Sequence, residues 1–184
     1  MKTLKTLKTL RGKFAAFTLI ELLVVISIIA VLASLALPAI TGALVKGQIT
    51  QTTSNYRQLY LASQSASLDA SASGGSNSGF PGDSGSIAGW TAALVPNYLS
   101  GTAFTNLLSV KGGTTNTSVW NATSSGDSST VMLSTANVRS NQVDNTAPYN
   151  LKGGCFVTVS GAAVSITGTN ASPTTNAVWT NTLQ

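Results

Sequence analysis

The chain has 184 residues, a formal net charge of +5 and a pI near 9.6, with no histidine and one cysteine. Lacking histidine, it lacks the commonest general base for a serine or cysteine nucleophile, and a single cysteine excludes an intramolecular disulfide. The excess charge sits entirely in residues 1–16, as Lys2, Lys5, Lys8, Arg11 and Lys13. The other cations, Lys46, Arg57, Lys111, Arg139 and Lys152, balance Glu21, Asp69, Asp83, Asp127 and Asp144, so the overall basicity predicts no nucleic-acid partner.

Behind the basic flank, Phe17 to Ile40 reads FTLIELLVVISIIAVLASLALPAI, apolar but for Glu21. A membrane-spanning helix needs about 20 apolar residues, and Leu22 to Ile40 carries no charge. Helix is the expected conformation, because in hydrocarbon every backbone N–H and C=O must be paired within its own segment. Five cations and no acid before the span place the N-terminus in the cytoplasm and everything after Lys46 across the membrane. The other reading of the segment is a secretory signal peptide removed whole. Against it, the run exceeds the usual apolar core, and no Ala-x-Ala site ends it. A carboxylate at membrane depth costs on the order of 3 kcal/mol, so Glu21 calls for a cation, unless it snorkels to the membrane edge.

Phe17-Thr18-Leu19-Ile20-Glu21-Leu22, behind a short basic leader, resembles the cleavage region of type IV prepilins and type II secretion pseudopilins. The resemblance covers roughly residues 8–45. It implies that a prepilin peptidase and methyltransferase cuts the Ala16–Phe17 bond and methylates the new amine of Phe17, although Ala16 stands where the family usually has glycine. It further implies that the Phe17 amine of one subunit meets Glu21 of a neighbour during assembly. The partners so implied are copies of the chain or related pilin-like subunits, an inner-membrane assembly platform and the lipid bilayer. The implied setting is the bacterial inner membrane, spanned once, with a periplasmic head that enters a periplasmic or surface filament.

Pro38 and Gly42 predict a kink at the outer end of the span. Beyond them Val45, Ile49, Thr52, Tyr56, Leu59, Ser63 and Ala66 recur at spacings of four and three, one stripe of a continuing helix. The helix is expected from Phe17 to about Leu68. Ala70 to Gly89 reads as a glycine- and serine-rich loop, followed by Trp90, Leu94 and Leu99 anchoring a short helical turn to the core. Gly82-Asp83-Ser84-Gly85 imitates a protease nucleophile loop but has no histidine to serve it.

Further on, Cys155 to Gly168 predicts a hairpin about a two-residue Gly161-Ala162 turn, with Val159 facing Val164, Val157 facing Ile166 and Thr158 facing Ser165. One face would be apolar and lie on the helix, the other hydroxylated and in water. Thr130 to Val138 and Ala177 to Leu183 are further strand candidates, and Cys155 is expected in the core. Asp127 and Asp144 are the candidate calcium ligands, too few for a recognisable metal cage, and no cofactor is predicted.

The expected fold is α+β and type IV pilin-like, a long N-terminal helix packed against a small antiparallel sheet. The expected division is a leader (1–16), a transmembrane assembly helix (17–40), its amphipathic continuation (41–70) and an extracytoplasmic head (71–184). The expected function is non-enzymatic: a structural subunit of a membrane-anchored helical filament, either a secretion pseudopilin or a type IV pilin. The alternative is a monomeric membrane-tethered binding protein.

Overall fold

A computed structural model describes residues 17–75, 79–110, 116–140, 142–168 and 177–183. The leader, and Ala16 with it, lies outside the described residues. The chain divides into two units, up to Ile40 and from Thr41 onward.

Helix α1 runs from Leu19 to Ser73, through Pro38 and Gly42 without interruption. It starts two residues later than the sequence suggested and ends five residues later. Its end is set by Gly74, whose φ of +68° suits glycine, and by the Gly75 N–H donating to Ala70 O at 2.9 Å, the bond pattern that closes a Schellman cap.

In the second unit the predicted stripe is the buried one: Ile49, Thr52, Tyr56, Leu59, Ser63 and Ala66 are all buried, with Val45 half-buried. Its polar members are there because each bonds across the core. Thr52 Oγ1 and Tyr149 OH lie 2.7 Å apart, Tyr56 OH and Thr117 Oγ1 2.8 Å apart, and the Trp90 indole N–H donates to Ser63 Oγ at 3.0 Å and Gly79 O at 2.9 Å. A buried hydroxyl left unpaired would cost about 1–3 kcal/mol, so these partners are what permit a half-polar stripe.

The expected loop after α1 is largely helical. A short turn α2 (Pro81–Ser84) leads into α3 (Ile87–Leu94), capped by Ser86 Oγ accepting from Gly89 N, and α4 (Gly101–Leu108) follows, capped by Ser100 Oγ accepting from Ala103 N. Trp90 and Leu94 are fully buried, and Leu99 packs against the same core.

The sheet is antiparallel, in the order β1 (Thr117–Val119), β2 (Val131–Thr135), β5 (Gly153–Thr158), β6 (Ala163–Thr167). A two-stranded ribbon, β3 (Val138–Arg139) and β4 (Gln142–Val143), branches from it. Thr130 to Val138 thus splits into β2 and the start of β3. Ala177 to Leu183 forms no strand and makes two isolated bridges, Thr130 with Val178 and Trp120 with Thr182.

The β5–β6 register differs from the expected one by three residues: Val157 faces Ala163, Phe156 faces Val164 and Cys155 faces Ser165. The turn is a three-residue loop, Val159 to Gly161, closed by the Thr158 N–H donating to Ala162 O at 3.1 Å. Gly161 takes φ +78°, and a Cβ there would fall 2.5 Å from the Tyr60 ring, so the turn glycine is fixed against α1. Val159 leaves the hairpin to donate to Thr130 O at 2.9 Å.

Neither face of the central strands is in water, contrary to expectation: every residue of β2 and β5 is buried. One face, with Leu133, Cys155 and Val157, packs with α1, α3 and α4. The other is covered by Trp120, Val131, Val138, Val143, Phe156, Ile166 and Ala177, with Trp179 edge-on to Trp120 at 4.9 Å between ring centroids.

Cys155 is fully buried, as expected, and desolvation pushes its thiol from near 9 up to about 12. Two results follow. A thiol-reactive disulfide reagent at pH 8 should leave the folded chain unlabelled while labelling the denaturant-unfolded chain completely. And because the folded state holds the proton more tightly, this contribution to stability is whole below the ordinary thiol value. It should erode as pH rises from near 9 toward 12, with buried Tyr56, also shifted upward by desolvation, acting in the same sense. Urea midpoints measured between pH 7 and 11 would show the decline.

Candidate assembly site

The described part of the first unit is an apolar helix with every residue exposed. Phe17, Leu19 and Ile20 are 76%, 88% and 69% exposed, and the large apolar side chains onward to Leu44 are exposed as well. α1 is, among the described residues, the one helix long and apolar enough to cross a membrane, and its most apolar stretch is not buried at all. A core helix of a soluble domain would be largely buried, so this apolar surface must be covered by something other than the chain itself. That supports membrane anchoring.

At its start, Thr18 caps α1. Thr18 Oγ1 accepts from Glu21 N at 3.3 Å, while the Glu21 carboxylate reaches back to accept from Thr18 N at 2.8 Å and from Thr18 Oγ1 at 2.6 Å. This is a capping box, in which two backbone donors that the helix start leaves unpaired are satisfied reciprocally. The signal is present in the sequence, as Thr18-x-x-Glu21 before an apolar run. The carboxylate therefore has a partner inside its own chain, and negative charge in the first turn also suits the helix dipole.

Phe17 precedes the helix and borders, with Ile20, Glu21, Val24 and Val25, one shallow hollow whose wall is apolar except for that carboxylate. The structure so places Phe17 and Glu21 on one side of one helix end. A Cβ at Gly42 would meet nothing within 4 Å, so close packing does not demand glycine there.

Elsewhere the candidate ligands do not converge. Asp127 Oδ1 accepts from Ser129 N and Oγ at 2.8 and 2.6 Å, and Asp144 Oδ1 accepts from Thr146 N at 2.9 Å and from Thr146 Oγ1. Each carboxylate closes its own turn, and among the described residues no three Asp, Glu or Cys side chains gather. The Ser129 donors hold the Asp127 carboxyl below its usual range. Ser84 lies in α2 and donates to Phe80 O at 3.1 Å.

No curated protein and no solved structure matches the chain. Residues 11–37 match the family model described as the prokaryotic N-terminal methylation motif, and with it the chain carries the signature of type IV prepilins and pseudopilins.

Proposed function

We propose that the chain is the precursor of a structural subunit of a membrane-anchored helical filament. The carrying observation is the bare apolar helix that begins in a capped carboxylate, at the place where the methylation motif matches. Pilin-like subunits are generally not enzymes, and the work assigned here is mechanical.

In this reading residues 1–16 are the leader, and prepilin peptidase cuts between Ala16 and Phe17 on the cytoplasmic side. Residues 17–40 become the membrane and assembly segment, 41–70 its continuation, and the head from residue 71 lies across the membrane. Cleavage frees the Phe17 amine and the methyltransferase then methylates it from a methyl donor, leaving a charged ammonium four positions before Glu21. In a filament that ammonium meets the Glu21 carboxylate of the neighbouring subunit, so that neither charge is left alone in hydrocarbon. Repetition of one such head-to-tail contact generates a fibre rather than a closed ring. Pro38 and Gly42 supply the place where α1 bends as subunits pack. The product is a short secretion pseudopilus or a long type IV pilus.

The direct test is mass spectrometry of the mature N-terminus. The expected species begins at Phe17 and is heavier by one methyl group. A mature chain that begins at Met1, or beyond Ile40 as a signal-peptide cut would leave it, overturns the reading.

A further inference from the structure

Among the described residues, strand β6 ends the sheet and pairs only with β5. The Thr158 N–H to Ala162 O bond and the Gly168 N–H to Lys152 O bond, both 3.1 Å, bracket the β5–β6 ladder and set its alternation. Val164 and Ile166 turn their backbone groups toward β5, so Ala163, Ser165 and Thr167 turn theirs away from it. Among the described residues none of these outward N–H and C=O groups has a partner. Natural edges are usually guarded by lysine, proline or a bulge, and β6 has none: its sequence is Ala-Val-Ser-Ile-Thr and its register is continuous.

Beside this edge lies a hollow of about 290 Å³ lined by Thr50, Thr53, Ser54, Arg57, Ala163 and Ser165. Thr50 and Thr53 spend their hydroxyl protons on Lys46 O and Ile49 O of α1, at 3.0 and 2.8 Å. Arg57 is exposed and, among the described residues, pairs with no carboxylate. The hollow is therefore positively charged next to a row of unpaired strand groups.

We propose that the β6 edge and the Arg57 hollow form a docking site for an extended polypeptide segment of another protein that carries a carboxylate. The segment adds a fifth strand through Ala163, Ser165 and Thr167, and its acidic side chain meets the Arg57 guanidinium. Charge decides between this occupant and a second copy of β6: antiparallel pairing of two β6 edges brings two Arg57 side chains to the same face of the joined sheet.

The probe is the acetylated, amidated peptide Thr-Val-Glu-Val-Thr, titrated into the full-length chain in detergent micelles and followed by backbone amide NMR. The amides of Ala163, Ser165 and Thr167 are expected to shift. Binding should weaken roughly threefold to fivefold with Arg57→Gln, and by a similar factor when the peptide's Glu is replaced by Lys. Ser165→Pro should weaken it roughly tenfold; this N–H faces away from β5, so the native ladder is untouched. A readout needing no protein variant is peptide N-methylation, which should abolish binding on one alternate set of nitrogens and spare it on the other. The proposal is overturned if no shift occurs at millimolar peptide, if both methylated sets bind alike, or if Arg57→Gln and Ser165→Pro bind as the parent does. Association of the chain through β6 without peptide would also overturn it, in favour of a second copy.

Discussion

Replacing Glu21 with Gln is expected to leave a chain that is inserted and cut normally but yields at least about a hundredfold fewer filaments. Glutamine keeps the side-chain oxygen that accepts from Thr18 N–H, so the capping box and the start of α1 survive. What it removes is the charge. Left without its counter-charge, the Phe17 ammonium of each incoming subunit stays desolvated, and breaking a buried pair in this way costs roughly 3–5 kcal/mol. Glu21→Ala removes cap and charge together and should assemble no better, with a further loss of about 1 kcal/mol in helix-start stability. Counting filaments by electron microscopy, with mature chain measured by immunoblot, separates the two effects. Parental filament levels with Gln would refute charge pairing, and failure with Ala alone would assign the role of Glu21 to the cap. A monomeric tethered receptor would be indifferent to either change.

The second large effect is expected at Trp90. Its ring is fully buried against Phe104, edge-on at 5.2 Å between centroids, and its indole N–H is shared between Ser63 Oγ on α1 and Gly79 O. Trp90→Ala should lower the stability of the second unit by about 4 kcal/mol, from the lost ring and the cavity left behind. That is a large part of the 5–15 kcal/mol typical of a domain, so the variant head should unfold at a much lower urea concentration. Trp90→Phe keeps most of the apolar contact but strands Ser63 and Gly79, and should cost about 1–2 kcal/mol. Urea titration of the chain in detergent, followed by far-ultraviolet circular dichroism, measures both. Equal midpoints for the Phe variant and the parent would show that the shared hydrogen bond contributes nothing.

Local signals were the legible ones. The apolar run with its single acid, and the four-and-three stripe from Val45 to Ala66, are properties of one helix and its immediate periodicity, and the structure has both. Trp90 and Leu94 mark the helical turn that is α3, but Ser86 and Ser100 are ordinary caps in a serine-rich text where most serines cap nothing, so the start of α3 and the whole of α4 could not be picked out. The Cys155–Gly168 hairpin was legible as a hairpin, but its register was not. Its register depends on Gly161 meeting Tyr60, a residue some hundred positions earlier, and on Val159 pairing with Thr130. The second buried face of the sheet likewise rests on Trp120 and Trp179, brought to Phe156 from separate segments, which no alternation pattern within β5 can announce. At the assembly site the acid was legible from its cost in lipid, and its threonine partner was not, because a cap satisfies the backbone and leaves no trace in hydropathy.

The three tryptophans divide between the two sides of the sheet: Trp90 reports on the side shared with α1, while Trp120 and Trp179 form a coupled pair on the other. The protein thus has two built-in optical gauges. Near-ultraviolet dichroism from the coupled rings follows one compartment, and in a Trp120→Phe, Trp179→Phe variant the remaining indole emission follows the other, without attaching any dye.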